Sequence, residues 1–192
     1  MALLPLGIWA ASGAGGAAIG TDYELISTQI LGSAADNITF SSIPQTFKHL
    51  QIRMTARFDN GSGTGARNLG IRINGNTGNV YSWHYLNGDG GSVTSGGFAS
   101  FNHIRFDQCL PSNDQAAGIF GPGIIDIADY ASTSKFKTLR GLIGQPVSGF
   151  KIGLKSGLYQ ATSAVSSIVL YDQEYAAGFK AGSRFSLYGL KG

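Results

Sequence analysis

The chain has 192 residues and a formal net charge of +3, a length that suits one domain with a full core. Gly supplies 29 residues, charged residues are only 13%, and the two glutamates are Glu24 and Glu174; long helices need Glu, Lys and Arg along their wet faces, so a helical bundle is excluded. Hydrophobic residues at 43% and aromatics at 11% are too many for disorder, and no basic stripe of the kind that grips nucleic acid is present.

Residues 1–20, MALLPLGIWAASGAGGAAIG, carry no charged side chain. A secretory signal needs a basic region before its apolar stretch, and the first lysine is Lys48. Gly13, Gly15 and Gly16 interrupt the segment and only Leu3 to Ala11 is truly apolar, too short to cross a bilayer, so no membrane partner is expected. The apolar head (Leu3, Leu4, Leu6, Ile8, Trp9) followed by a Gly/Ala tether predicts an extended arm that docks on a partner subunit, because an uncovered apolar peptide is an aggregation hazard. Trp9 is the best single anchor, since tryptophan dominates interface hot spots.

Residues 21–192 predict a single β-sandwich domain. Tyr23–Leu31 and Asn37–Phe40 open the series. In the next strand Leu50, Ile52, Met54, Ala56 and Phe58 alternate with His49, Gln51, Arg53, Thr55 and Arg57, a half-buried strand of period two. Leu69, Ile71 and Ile73 follow, closed by the turn pair Asn74-Gly75. Tyr81–Leu86 ends at Asn87-Gly88-Asp89-Gly90, and Phe98–Leu110 places Ile104 and Phe106 inward with His103 on the wet face. Ile119–Ile127 is interrupted at Gly121-Pro122-Gly123, which predicts a bulge or bend. Lys135–Ile143 comes next, then Phe150, Ile152 and Leu154 as inward residues, then Ser166–Tyr171 and Arg184–Leu190, with Phe185 and Leu187 inward. About ten strands with turns every eight to fifteen residues predict an all-β, antiparallel, jelly-roll-like sandwich. A short helix is conceivable only at Asp172–Gly178.

Chemistry is sparse. Cys109 is the only cysteine, so an intrachain disulfide and a Cys-based zinc site are excluded. His49, His84 and His103 lack metal-ligand spacing. Asp126 and Asp129 read as turn and cap residues before they read as paired catalytic or calcium-binding acids, and Asp89 reads as a turn residue. Gly61-Ser62-Gly63-Thr64-Gly65 lacks the Lys and helix of a phosphate loop. No cofactor, metal or enzymatic activity is expected. Tyr81, Trp83 and Tyr85 share one strand face next to Asn87 and Asp89; they read as packing first and as a possible glycan contact second.

Several stretches together carry a resemblance: PLGIWAASGAGGAA, YELISTQILGSAADNITFSSIPQTFKHLQIR, IDIADYASTSKFKTLRG and AAGFKAGSRFSLYGLKG. In style, over nearly the whole chain, they resemble small virion proteins of tailed bacteriophages, frequent in marine and cyanobacterial phages. The resemblance implies a jelly-roll-like particle component located in the virion. Its partners would be itself, as a homotrimer, and other virion proteins of the capsid, neck or tail. With no heptads or β-helix repeats to build a shaft, a capsid decoration or head-fibre protein is expected ahead of a tail fibre. The alternative is a receptor- or glycan-binding module that meets the host surface.

Overall fold

The structure, a computed structural model, describes residues 22–60, 65–145, 151–174 and 178–192; the arm lies outside them. Twelve strands form two sheets: β1 (Tyr23–Ile30), β2 (Asn37–Phe40), β3 (His49–Ala56), β4 (Ala66–Ile73), β5 (Tyr81–Gly88), β6 (Val93–Phe101), β7 (Ile104–Pro111), β8 (Gly121–Ala128), β9 (Lys137–Gln145), β10 (Lys151–Tyr159), β11 (Ile168–Asp172) and β12 (Arg184–Leu190). One sheet has eight strands in the order β1-β12-β3-β8-β9-β10-β5-β6, the other four in the order β2-β11-β4-β7. Every pairing is antiparallel. The protein is an all-β antiparallel sandwich, and no helix occurs among the described residues.

The chain crosses between sheets repeatedly, which gives a single shared core. Leu50, Ile52, Ile125, Ile127, Phe185 and Leu187 of the large sheet and Ile38, Leu69, Ile71, Ile73, Ile168 and Leu170 of the small one are fully buried. Period two works for β3 because Leu50, Ile52, Met54 and Ala56 all point inward. The expected strand Phe98–Leu110 is two strands, which belong to different sheets and are joined at Asn102-His103. The turn carries no Gly or Pro, and the positive-φ residue near it, Ser100 (φ 60°), lies within the last residues of β6. Gly121-Pro122-Gly123 does not break β8; it opens the strand, and Pro122 pairs in register with Thr55. Asp172 closes β11, so no helix begins there; 175–177 lie outside the described residues.

β10 reverses the expected faces. Ile152 and Leu154 point to solvent, 69% and 50% exposed, while Lys155 and Tyr159 are buried on the other face beside Gly153 and Gly157; Phe150 lies outside the described residues. The cause is β7, which lies across β8, β9, β10 and β5. A Cβ on Gly157 would sit 2.8 Å from Ile104, and one on Gly121 would sit 2.7 Å from Pro111. A Cβ on Gly141 would overlap the Phe106 ring. Three glycines thus form the floor on which β7 rests, and β10 must turn its glycines inward whatever its larger side chains prefer. Tyr159 fixes the same choice by stacking on Tyr81 at 5.0 Å.

Buried cations tie the loops to this frame. Arg57 donates to the carbonyls of Ser112 (3.2 Å), Asn113 (3.0 Å) and Ala116 (2.9 Å), and also to that of Gln115. Lys137 donates to Ser132 and Lys135 (2.6 Å each) and to Thr162 (3.1 Å). In the small sheet Arg67 and Asp172 form a buried ion pair at 2.9 Å.

Gly157→Ala is expected to lower stability by about 1–3 kcal/mol, the usual range for an overpacked core. Gly144→Ala in the adjacent strand, where a Cβ meets nothing within 4 Å, should change it by less than about 0.5 kcal/mol. Urea midpoints of the two variants check the difference.

Candidate interaction face

The outer face of the eight-stranded sheet divides into a polar end and an apolar end. At the polar end Gln51 pairs with Asp126, and Asp126 with Arg140. The Gln51 amide donates to Asp126 Oδ1 at 2.8 Å, Arg140 donates to Asp126 Oδ2 at 2.9 Å, and Arg53 donates to Gln51 Oε1 at 2.7 Å. The Arg53 guanidinium lies over the rings of Tyr23 and Tyr188 at 5.0 and 5.1 Å. These groups border an open groove of about 520 Å³ that starts at Tyr23 and runs past His49 to Thr138 and Arg140.

One register step away the face is apolar. Ile124 pairs with Leu142, Leu142 with Leu154, and Leu154 with Leu86. All four are exposed, at 41%, 56%, 50% and 48%, and Ile152 stands beside them. Cross-strand neighbours on one face lie about 5 Å apart, so the four make an unbroken apolar row over four strands. An antiparallel sheet with one wet face ordinarily carries polar residues there. A shallow hollow of about 350 Å³ between His84, Leu86, Arg140, Leu154 and Ser156 borders the row.

The residues singled out from sequence fall in different places. Tyr81 and Trp83 are 0% and 1% exposed. Trp83 packs on Phe98 at 4.7 Å and its other neighbours are Tyr85, Phe101 and the Arg105 guanidinium. The glycan contact considered at Tyr81, Trp83 and Tyr85 is therefore corrected: two of the three rings are core, and half-buried Tyr85 has Lys155 over its face at 5.2 Å. The arm residues Leu3, Leu4, Leu6, Ile8 and Trp9 lie outside the described residues.

The histidines and acids also separate. His103 is buried rather than on a wet face, and burial beside Arg72 and Arg105 pulls its pKa down to about 4. His84 is exposed, and His49 accepts the Asp129 N–H at 3.0 Å. The Asp129 carboxylate bonds Lys135 at 2.7 Å, which holds its pKa below the ordinary value. Asp89 caps the β5–β6 turn, accepting from the Gly91 and Ser92 N–H groups and the Ser92 hydroxyl, which lowers its pKa to about 2. Among the described residues no three His, Cys, Asp or Glu side chains gather as metal ligands. Cys109 is buried, and burial pushes its thiol up to about 12.

The apolar row escapes a reading by alternation, because Ile152 and Leu154 look like core. A different signal marks it: Gly123-Ile124, Gly141-Leu142 and Gly153-Leu154 each put a glycine directly before the exposed residue. An inward glycine on the covered side obliges the next large side chain to face out. No known protein family matches the chain, and no curated protein does.

Lys155 gives a pH test of the inward face of β10. It bonds Asn87 Oδ1 and the Asp107 carbonyl (2.8 Å), and burial lowers its pKa to about 8. The folded state thus binds fewer protons than the unfolded state between about pH 8 and the value of a solvated lysine. The desolvation penalty is full below about pH 8 and fades as the pH rises above it. The stability of the wild type relative to Lys155→Met should rise by about 1–3 kcal/mol between about pH 7.5 and about pH 10. Taking the difference cancels the opposing titration of Cys109 and Tyr81. Urea unfolding across this range checks it; a flat difference would contradict the buried ammonium.

Proposed function

We propose that the chain is a non-enzymatic structural protein of a tailed-phage virion, most consistent with a capsid decoration or head-fibre component. It works as several copies, a trimer being the expected form. The β-domain packs on another virion protein through the outer face of its large sheet, and the apolar arm docks on a partner subunit. The assignment to a virion rests on the resemblance of the sequence stretches. The assembly role rests on the in-register row of Ile124, Leu142, Leu154 and Leu86, since soluble domains that stand alone seldom leave so ordered an apolar strip uncovered. The knitted polar end beside it supplies a rim of the kind that surrounds an interface core. A glycan-binding role has less support, because Tyr81 and Trp83 offer no ring face to a sugar.

Leu142→Lys with Leu154→Lys should leave the far-UV circular dichroism and the unfolding midpoint nearly unchanged, because both side chains are already solvated in the isolated domain. The same variant should be incorporated at least tenfold less into particles of the phage that encodes it, read by quantitative mass spectrometry of purified virions. Normal incorporation would remove the outer face as the docking surface, and absence of the wild-type chain from virions would remove the virion assignment.

A further inference from the structure

We propose that the free edge of β6 accepts residues 3–9 of a second copy of this chain as an added strand. This deepens the assembly reading and takes from it the role of the arm as an intersubunit anchor.

The acceptor is recognised by what it lacks. Free sheet edges are commonly guarded by charge, proline, a bulge or short length. β1 carries Glu24 and a register shift between Leu25 and Ser27. β2 has four residues. β7 carries Arg105, Asp107 and Pro111 and a register shift in its pairing with β4. β6 pairs regularly with β5 from Val93 to Phe98, and its only irregularity comes after that stretch. Val93 to Phe98, VTSGGF, contains neither charge nor proline. Val93 and Phe98, on opposite faces, are 71% and 47% exposed. Gly96 and Gly97 lie under the Tyr85 and His84 side chains, so β6 is covered by side chains from β5 while its other edge is open.

The donor fits the edge by pattern. In an added strand alternate residues turn their N–H and C=O toward the neighbour and the others turn away. Leu4, Leu6 and Ile8 alternate with Leu3, Pro5, Gly7 and Trp9. Bonding through Leu4, Leu6 and Ile8 leaves Pro5 among the outward residues, where its missing N–H is harmless. Pro5 then guards the new edge, so the sheet stops growing after one addition.

Distance selects a second copy. β1 and β6 are the two edges of the eight-stranded sheet, about 34 Å apart at roughly 4.8 Å per strand. Residues 10–21 link Trp9 to Asp22. Twelve residues average about 20 Å end to end and reach about 40 Å only when straight. A chain's own arm would have to be drawn almost taut across a twisted sheet, whereas a neighbour's arm meets no such limit. Donor and acceptor are different surfaces, so each copy can both give an arm and receive one, and a ring forms where the rotation from copy to copy closes.

The test uses the full chain. Light scattering at micromolar concentration should find an oligomer for the wild type and a monomer for the triple variant Leu4→Asp, Leu6→Asp, Ile8→Asp, with unchanged circular dichroism. Separately, a Leu6→Cys chain is mixed with a chain carrying Thr94→Cys, Ser95→Cys or Ala99→Cys and oxidised. At least one mixture should give a disulfide-linked pair on a non-reducing gel. A monomeric wild type, an oligomer that survives the triple variant, or failure of all three mixtures to cross-link overturns the inference. Incorporation of the Leu142/Leu154 variant into virions tests the outer face alone, so the two readings fail separately.

Discussion

The seating of β7 on Gly121, Gly141 and Gly157 is the constraint from which the rest of the sandwich follows. Ile104, Phe106 and Pro111 come close enough to these positions to leave no space for a Cβ. Once the inward positions are given to glycine, β8, β9 and β10 have fewer large side chains to bury there. Their Ile124, Leu142, Ile152 and Leu154 stand outside. The tight core and the apolar outer face are therefore two results of one packing decision. Filling the floor with larger residues would push the sheets apart before it hid the outer row.

The loops are held by a second device that uses little carboxylate. Arg57 and Lys137 spread their charge over backbone carbonyls of neighbouring loops, and Lys155 bridges β5 and β7 through an amide and a carbonyl. A buried cation without such acceptors would be strongly destabilising. Here each satisfies backbone acceptors that would otherwise go unbonded, so the cation and the loop stabilise one another.

Alternation made the architecture legible wherever a strand had one apolar and one polar face. β3, β4 and β12 are read correctly from Leu50, Ile52, Met54, Leu69, Ile71, Ile73, Phe185 and Leu187 because their inward positions hold the large residues. It misled at β10, where the inward positions hold Gly153, Lys155 and Gly157. No count of hydrophobicity along one strand can see Ile104 arriving from the other sheet. β6 and β7 read as one strand because the crossing at Asn102-His103 has neither Gly nor Pro to punctuate it, and a single Asn is a weak signal. For Trp83 the packing reading, placed ahead of a glycan contact, is the one its burial supports, and the covering partners that decide it, Phe98, Phe101 and Arg105, come from other strands that the sequence around Trp83 does not show. The outer row is a property of register between strands, which exists only once the sheet is assembled.

The three carbonyl-held cations also change what the sequence charge means. Fourteen cationic side chains face eleven acidic ones. Arg57, Lys137 and Lys155 are buried without a carboxylate among their hydrogen-bond partners. Leaving those three out, eleven cations stand against eleven acids, and the buried Arg67–Asp172 pair cancels within that balance. The solvent-facing cations and acids thus balance in number, while the three buried cations carry the formal +3 and the sequence pI of 9.0. Copies that pack closely therefore meet a surface of balanced charges rather than a like-charged patch, and a net charge of only +3 gives them weak repulsion at a distance and modest colloidal protection when unassembled.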